Sequence, residues 1–426
     1  MTDRMPEAAH ASNVAEHDAV ALTEPSPALG SEPLDAPLET RRIVLNMGPS
    51  HPAMHGTVRM VVELEGETIE KADCEVGFLH RGFEKSCENS TWTQCLPYVD
   101  RLNYVSSLLN DFTYLGAVEK LLGVDIPERA KFIRVIGGEL HRMCDHLTLV
   151  GAMGLELGAF TVLLYGIEAR ELIWDRIAEL CGARVTTAFG RPGGVERDLP
   201  PGWTEKVLAT LDKAAELRDE VDKLLTRNRI FIDRCRQTGV ISKEDALDWG
   251  FTGPCLRATG VPYDVRKAHP YLVYDRFDFD IPIGEHGDNY DRYAVRIEEL
   301  KQSDRIIRQA LGTIPPGPVM INDWRISLPP KPEVYGTIEG VMSHFKLIME
   351  GIQVPPGEAY SYAEAANGEL GFYVVSDGSG RPYKCHVRSP GFPMLSAVPE
   401  MIKGSLIADL IPTFDSINMI GGEVEQ

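Results

Sequence analysis

Between Leu149 and Ile167 the only charged residue is Glu156. A run that apolar either crosses a membrane or is buried inside a helical bundle. A carboxylate near its middle and four glycines, Gly151, Gly154, Gly158 and Gly166, speak against a membrane span. Arg142, Asp145 and Arg170 lie just outside it. The pattern predicts a helix buried on all sides within a bundle. A glutamate there is costly unless partnered, so Glu156 is a functional candidate; a carboxylate hydrogen-bonded only for packing is the alternative.

A second constraint is Asn46–Gly56, Asn-Met-Gly-Pro-Ser-His-Pro-Ala-Met-His-Gly. His51 and His55 have helical spacing, but Pro49 and Pro52 remove backbone donors and push their predecessors towards extended geometry. Val58, Met60, Val62 and Leu64 then alternate with Arg59, Glu63 and Glu65, which is a strand pattern. The segment reads as a stiff loop entering a hairpin and presenting two imidazoles, groups that exchange protons near neutral pH. A plain proline-rich turn with surface histidines has the same composition.

The rest of the chain divides into recognisable elements. Arg41–Gly77 reads as β-structure with a turn at Glu65-Gly66-Glu67. Leu96–Leu122 reads as a helix beginning Pro97-Tyr-Val-Asp-Arg-Leu-Asn-Tyr104, and Pro127 opens the next helix from its first turn. Gly182–Asp198 is a loop, and Thr204–Arg236 a single long amphipathic helix. Ser242–Gly260 is helix and turn, and Tyr271–Ile283 is strand-like. Helices follow over Gly287–Leu311 and Gly336–Gly351. Glu369–Val387 is a hairpin turning at Asp377-Gly-Ser-Gly380. The expected class is α+β, a central helical bundle with antiparallel β-structure near both ends.

Composition limits the function classes. A net charge of −20 argues against nucleic acid as a partner. Residues 1–42 are rich in Ala, Pro, Glu and Asp and are expected to form a disordered acidic tail, leaving 43–426 as the folded domain. They fit neither a secretory signal nor a transit peptide. The eight cysteines include no C-x-x-C pair and read as reduced thiols. No P-loop, nucleophile elbow or dinucleotide fingerprint is present. His51 and His55 lack obvious further ligands, so no metal is expected.

Six stretches carry a family resemblance: Gly48-Pro-Ser-His-Pro-Ala-Met-His-Gly56, Leu79-His-Arg-Gly82, Leu96-Pro-Tyr-Val-Asp-Arg-Leu-Asn-Tyr-Val-Ser106, Arg191-Pro-Gly-Gly194, Asp288-Asn-Tyr-Asp-Arg-Tyr293 and Val375-Ser-Asp-Gly-Ser-Gly-Arg-Pro-Tyr383. In this order they resemble the D subunit of respiratory complex I, the proton-pumping NADH-quinone oxidoreductase, from Arg42 to the C-terminus. That family is related to the large subunit of nickel–iron hydrogenases, which hold their metal with cysteine pairs near both ends. Here the N-terminal region has only unpaired cysteines and Thr413–Gln426 has none. The resemblance therefore implies a metal-free pocket that houses a quinone headgroup.

It also implies roles. His55 and Tyr104 match the residues expected to hydrogen-bond the two quinone carbonyls, and both carry transferable protons. His51 matches a second loop histidine. Arg81 and Arg101 match positions near the terminal iron–sulfur cluster of a neighbouring subunit, where cations stabilise the reduced cluster. Three positions depart from the family. Glu156 stands where an aspartate commonly partners the histidine equivalent to His55. Thr186 replaces a common histidine beside the cluster, and Asn418 replaces a common aspartate. Loss of a positive charge at Thr186 favours a low-potential acceptor, menaquinone over ubiquinone.

The expected function is quinone reduction within the peripheral arm, on the cytoplasmic side of a bacterial inner membrane. Electrons would come from the cluster of a small subunit, and the NADH site would lie on partner subunits. A C-type chain of the same complex and a membrane-arm subunit at the quinone channel are the other expected partners. A hydrogenase-like metalloenzyme and a non-catalytic assembly paralogue are the alternatives. The cysteine pattern speaks against the first, and retention of His55 and Tyr104 against the second.

Overall fold

The computed structural model describes residues 41–426. Apart from Arg41 and Arg42, the acidic tail expected over 1–42 lies outside the described residues; Arg42 is already the first residue of a strand.

Three antiparallel strands form the N-terminal sheet: β1 (Arg42–Met47), β2 (Arg59–Glu65) and β3 (Thr68–Glu75). The alternation in β2 does what its period requires, burying Met60, Val62 and Leu64 while Glu63 faces out. Leu45 pairs with Val62, and Met60 with Cys74. The sheet shares a core with the C-terminal helices Gly391–Ile402 and Ile407–Ser416 through Met394, Val398, Leu410 and Phe414.

The bundle consists chiefly of Glu128–Glu156, Phe160–Cys181, Trp203–Leu225 and Asn289–Thr313. Ser107–Leu122 connects it to a second antiparallel sheet, Gly357–Glu364, Glu369–Ser376 and Lys384–Arg388. The α+β architecture with β-structure near both ends of the described chain is thus present. No described helix is long and apolar enough to cross a membrane.

Several expected elements differ. The single buried helix over Leu149–Ile167 is a helical hairpin. The first helix ends at Glu156, Gly158 takes φ +87°, and the second starts at Phe160. Its glycines serve close packing. A Cβ on Gly166 would sit 2.9 Å from the Leu147 carbonyl oxygen, and one on Gly154 3.0 Å from a Val162 methyl. Nor is the stretch enclosed on all sides, since Phe160 and Leu164 are exposed.

Thr204–Arg236 is two helices. The second, Arg229–Cys235, is started by Asn228, whose side chain accepts from the amides of Ile230 and Phe231. That capping outcompetes helical continuation. Leu96–Leu122 is likewise interrupted: Leu96–Val99 is a short helix, and helix resumes only at Ser107. Pro127 precedes the first helical residue, Glu128, instead of occupying the first turn.

Tyr271–Ile283 is not a strand. It is extended around a 3-10 turn at Tyr274–Arg276 and has no strand partner among the described residues. The amides of Asp278 and Asp280 bond instead to the side chains of Gln309 and Gln302, both 2.9 Å away on the neighbouring helix. Buried Tyr274, Phe277 and Phe279 account for the strand-like alternation. Strand Gly357–Glu364 has no counterpart in the sequence reading; it turns the expected hairpin into a three-stranded sheet. The loop Gly182–Asp198 contains a minimal strand pair, Gly190–Arg191 with Gly194–Val195.

Candidate functional site

The site is assembled by Asp415–Glu425, which threads between the histidine loop and the two arginines. The sequence reading above singles out this segment through its lack of cysteine and through Asn418.

The loop before β2 forms one 3-10 turn, Pro52–Met54, with Pro52 in its first position. His51 caps that turn: its Nδ1 accepts from the Ala53 amide at 3.2 Å. One nitrogen of His51 is therefore spent on holding the loop. His55 ends the turn in the left-handed region, φ 54°. Its ring meets Phe414 edge-on, with centroids 5.8 Å apart. Nε2 lies 3.8 Å from Oδ1 of Asp415, and the imidazole is 39% exposed whereas Asp415 is 1% exposed. Burial lowers the affinity of His55 for a proton; the charge of Glu156 and the Met419 backbone oppose that.

Tyr104 lies in the non-helical break between Leu96–Val99 and Ser107–Leu122, and is exposed. Asp145 on the long helix clamps this break. It accepts from Asn103 Nδ2 at 2.8 Å and Ser106 Oγ at 2.9 Å. Asn418 Nδ2 donates to its other oxygen at 2.6 Å. Burial, assisted by the charge of Asp145 and opposed by Arg81, raises the phenol above its usual range, so Tyr104 keeps its proton.

Arg81 ties the two arginine segments to the C-terminal segment. It donates to the Arg101 carbonyl at 3.0 Å and the Gly422 carbonyl at 2.8 Å. Arg101 donates to the Pro97 carbonyl. The approach requires glycine: a Cβ on Gly422 would lie 2.6 Å from both the Arg101 and Leu102 carbonyl oxygens. Glu425 accepts from the Leu79 amide at 2.5 Å.

Thr186 is half-buried in a loop held from both sides. Ser107 Oγ donates to the Val185 carbonyl at 2.7 Å, and the Ala188 amide donates to Asp100 at 3.1 Å. The structure therefore brings His55 together with Asp415 and Glu156, and links Arg81 directly to Arg101. His51 has a structural engagement.

Glu156 is half-buried at the end of its helix, not fully enclosed. Its charge acts on both His55 and Asp415, yet the carboxylate directly beside the imidazole is Asp415. Sequence reasoning missed Asp415, although a signal existed. It is the only charged residue between Leu410 and Ile420, the same criterion that singles out Glu156. Asp145, Asn103 and Glu423 were missed as well. Among the described residues, no group of three or more His, Cys, Asp or Glu is arranged to hold a metal ion.

Comparison with known proteins agrees with these motifs. The family described as respiratory-chain NADH dehydrogenase, 49 Kd subunit, matches residues 156–426. The NADH-quinone oxidoreductase D subunit of Myxococcus xanthus is 70% identical over 92% of this chain and 95% of that relative. The D subunit numbered 2 in Anaeromyxobacter sp. (strain K) is 67% identical over 94% of this chain and 93% of that relative. A C/D subunit of Bdellovibrio bacteriovorus is 48% identical over 91% of this chain and 70% of that longer relative. The motifs, the α+β fold and these relatives establish that the chain belongs to the family of the D subunit, the 49 kDa subunit, of the complex I NADH-quinone oxidoreductase.

Proposed function

We propose that this chain binds the quinone headgroup between His55 and Tyr104 and supplies the protons for its reduction to quinol. The observation that carries the reading is the presentation of these two proton-bearing side chains, both exposed, beside one C-terminal segment: His55 lies 3.8 Å from Asp415, and Asn418 shares Asp145 with the residues that flank Tyr104. Reduction takes two electrons and two protons, and an imidazole and a phenol are suited to the proton part. Tyr104 retains a proton that it can donate.

Electrons arrive from the terminal iron–sulfur cluster of a small partner subunit. Arg81 and Arg101 supply positive charge near it, and Thr186 stands beside it. A C-type chain is a further partner; the Bdellovibrio relative, whose name joins C and D, supports that assignment. A membrane-arm subunit completes the channel through which menaquinone or ubiquinone enters. The assembled enzyme translocates protons, with this chain peripheral on the cytoplasmic side of the inner membrane and active only in the assembly.

The test uses membranes carrying the complex with Tyr104→Phe, which keeps the ring and removes the proton. NADH-quinone turnover is expected to fall about 10²-fold. NADH oxidation by a water-soluble one-electron acceptor should persist. Near-normal quinone turnover in Tyr104→Phe overturns the reading.

A further inference from the structure

We propose that Asp415 is a positioning and proton-storing residue for His55, a buried carboxyl group behind Nε2 that reloads the imidazole during quinone reduction. The inference rests on the reading that His55 binds the headgroup.

Asp415 Oδ1 is 3.8 Å from His55 Nε2, and the carboxyl group is almost wholly buried. Neither of its oxygens has a hydrogen-bond partner among the described residues. Two other buried acids of the core are, by contrast, fully engaged: Glu139 with Arg142, Arg266, Tyr274 and Ser303, and Glu299 with Arg257 and His146. An unpartnered buried carboxylate is expensive, so the group remains protonated unless a base approaches. The base within reach is His55, whose ring Phe414 holds edge-on.

The surrounding charges favour that state. Burial, and then the negative charge of Glu156 on the long bundle helix, push the Asp415 carboxyl up to about 8. Asp145 on the same helix is occupied by Asn103, Ser106 and Asn418. On helix Asn289–Thr313, Arg292 donates to Ser416 Oγ at 2.8 Å and Arg296 to the Ser416 carbonyl at 3.1 Å. Neither bonds Asp415. Arg234 on helix Arg229–Cys235 faces Asp409 at 3.6 Å. His51 is engaged with its own turn.

The proton step balances. Two electrons reach the quinone from the one-electron iron–sulfur carrier of a partner. The imidazole gives one proton to a quinone oxygen and takes one at Nε2 from Asp415. Tyr104 gives the second. Quinol forms, His55 regains its proton count, and Asp415 and Tyr104 are left ionised. The mutual repulsion of Asp415 and Glu156 then draws one proton back onto Asp415 from bulk water, and the Tyr104 phenolate takes up a second.

The experiment measures NADH-quinone turnover against pH in membranes carrying the assembled complex, with a short-chain quinone as substrate and a soluble acceptor as the assembly control. Asp415→Asn is expected to lower kcat about 10²-fold with little change in KM, and to lose the alkaline limb of the profile. Glu156→Gln is expected to keep the limb but move it to lower pH, because removing a negative charge makes Asp415 a stronger acid. If Asp415→Asn keeps wild-type kcat and profile while His55→Gln abolishes turnover, the inference fails and the quinone reading stands. Unchanged turnover in His55→Gln overturns both. Should Asp415→Asn fail to assemble, the Glu156→Gln profile decides: a limb at the wild-type position overturns the inference.

Discussion

Asn418 donates an amide hydrogen bond to Asp145, 2.6 Å away in the buried core. The same Nδ2 lies 2.5 Å from Asn367 Oδ1. Asp145 thereby receives donors on both oxygens without a cation. The donor to its Oδ1 is a neutral amide, at the position where the family resemblance leads one to expect an aspartate.

Asn418→Asp therefore replaces a donor with a second carboxyl group. Two carboxylates at this distance cannot both ionise in a buried site, so one proton is shared between them. The folded state then binds a proton that the unfolded chain releases above about pH 4. Stability relative to wild type falls as pH rises, by about 1–3 kcal/mol once the lost hydrogen bond is included. Thermal inactivation of the complex at pH 6 and pH 8 measures this; equal shifts at both pH values contradict the shared proton. The left-handed backbone at this residue, φ 56°, suits Asp as well as Asn, so backbone strain is not the cause.

Glu423 offers a related test with the acid already in place. One of its oxygens accepts from the Gly391 amide at 2.9 Å. Burial, and then the charge of Asp145, push this carboxyl up to about 8. A raised folded value means that stability from this group is fully present below the unfolded value, about 4.3, and is lost as pH rises through 8. Glu423→Gln keeps an acceptor for Gly391 and has no charge to bury. The variant should flatten the decline in stability over that window; an unchanged decline would assign it to other groups.

How much of this arrangement is legible in the sequence depends on range. The alternation of Met60, Val62 and Leu64 is a local consequence of a sheet with one buried face, and it reads directly. The Asp288 side chain accepts from the Asp291 amide at 2.8 Å, a capping rule that acts over three residues. The motif around Tyr104 is recognisable, but its helical interruption is not, because Asp145 imposes it from a distant helix. Asp415 meets His55 only after two sheets and a bundle have closed. No periodicity encodes that contact. Tyr271–Ile283 misleads for the same reason, since glutamines on another helix take the place of a strand partner.

The ionic core predicts a stability effect independent of quinone chemistry. Arg257, fully buried, donates to Glu299 at 2.5 Å and Glu364 at 2.8 Å. Arg257→Met fills similar volume but strands both acids. Destabilisation of about 3–5 kcal/mol is expected from breaking such a buried pair on one side. Loss of the assembled complex from membranes at a temperature where wild type persists is the readout. A variant as stable as wild type would mean that Arg266, which pairs with Asp264 at 2.7 Å, neutralises the region alone.

Gly422 tests the keystone role of the C-terminal segment. Gly422→Ala must push the Arg101–Leu102 backbone away, and with it the segment that carries Tyr104. Displacement of about 1 Å costs roughly 10²-fold in turnover when it misplaces a proton donor. Quinone turnover should therefore fall while the soluble-acceptor rate holds. Wild-type quinone kinetics would show that the tyrosine segment is positioned from the Asp145 side.

If the terminal cluster of a partner lies beside Thr186, as proposed above, this position bears on its redox chemistry. A histidine beside a cluster gains a proton more readily when the cluster gains an electron, so the midpoint potential falls as pH rises. Threonine cannot titrate in that range. The two histidines of the bundle are unsuited to replace it: burial holds His141 down at about 3, and His146 is fixed on Glu299 at 2.8 Å. The nearby acids Asp100 and Asp111 are buried and both raised above the usual carboxylate range, first by burial itself. In the wild-type complex, a redox titration of the terminal cluster followed by EPR should give a midpoint without a histidine-type slope between about pH 6 and 8. Thr186→His should introduce one, up to about 59 mV per pH unit for a one-electron centre, falling with rising pH. A slope of that kind already present in wild type, and abolished in Asp111→Asn, would transfer the proton coupling from position 186 to the Asp100–Asp111 pair.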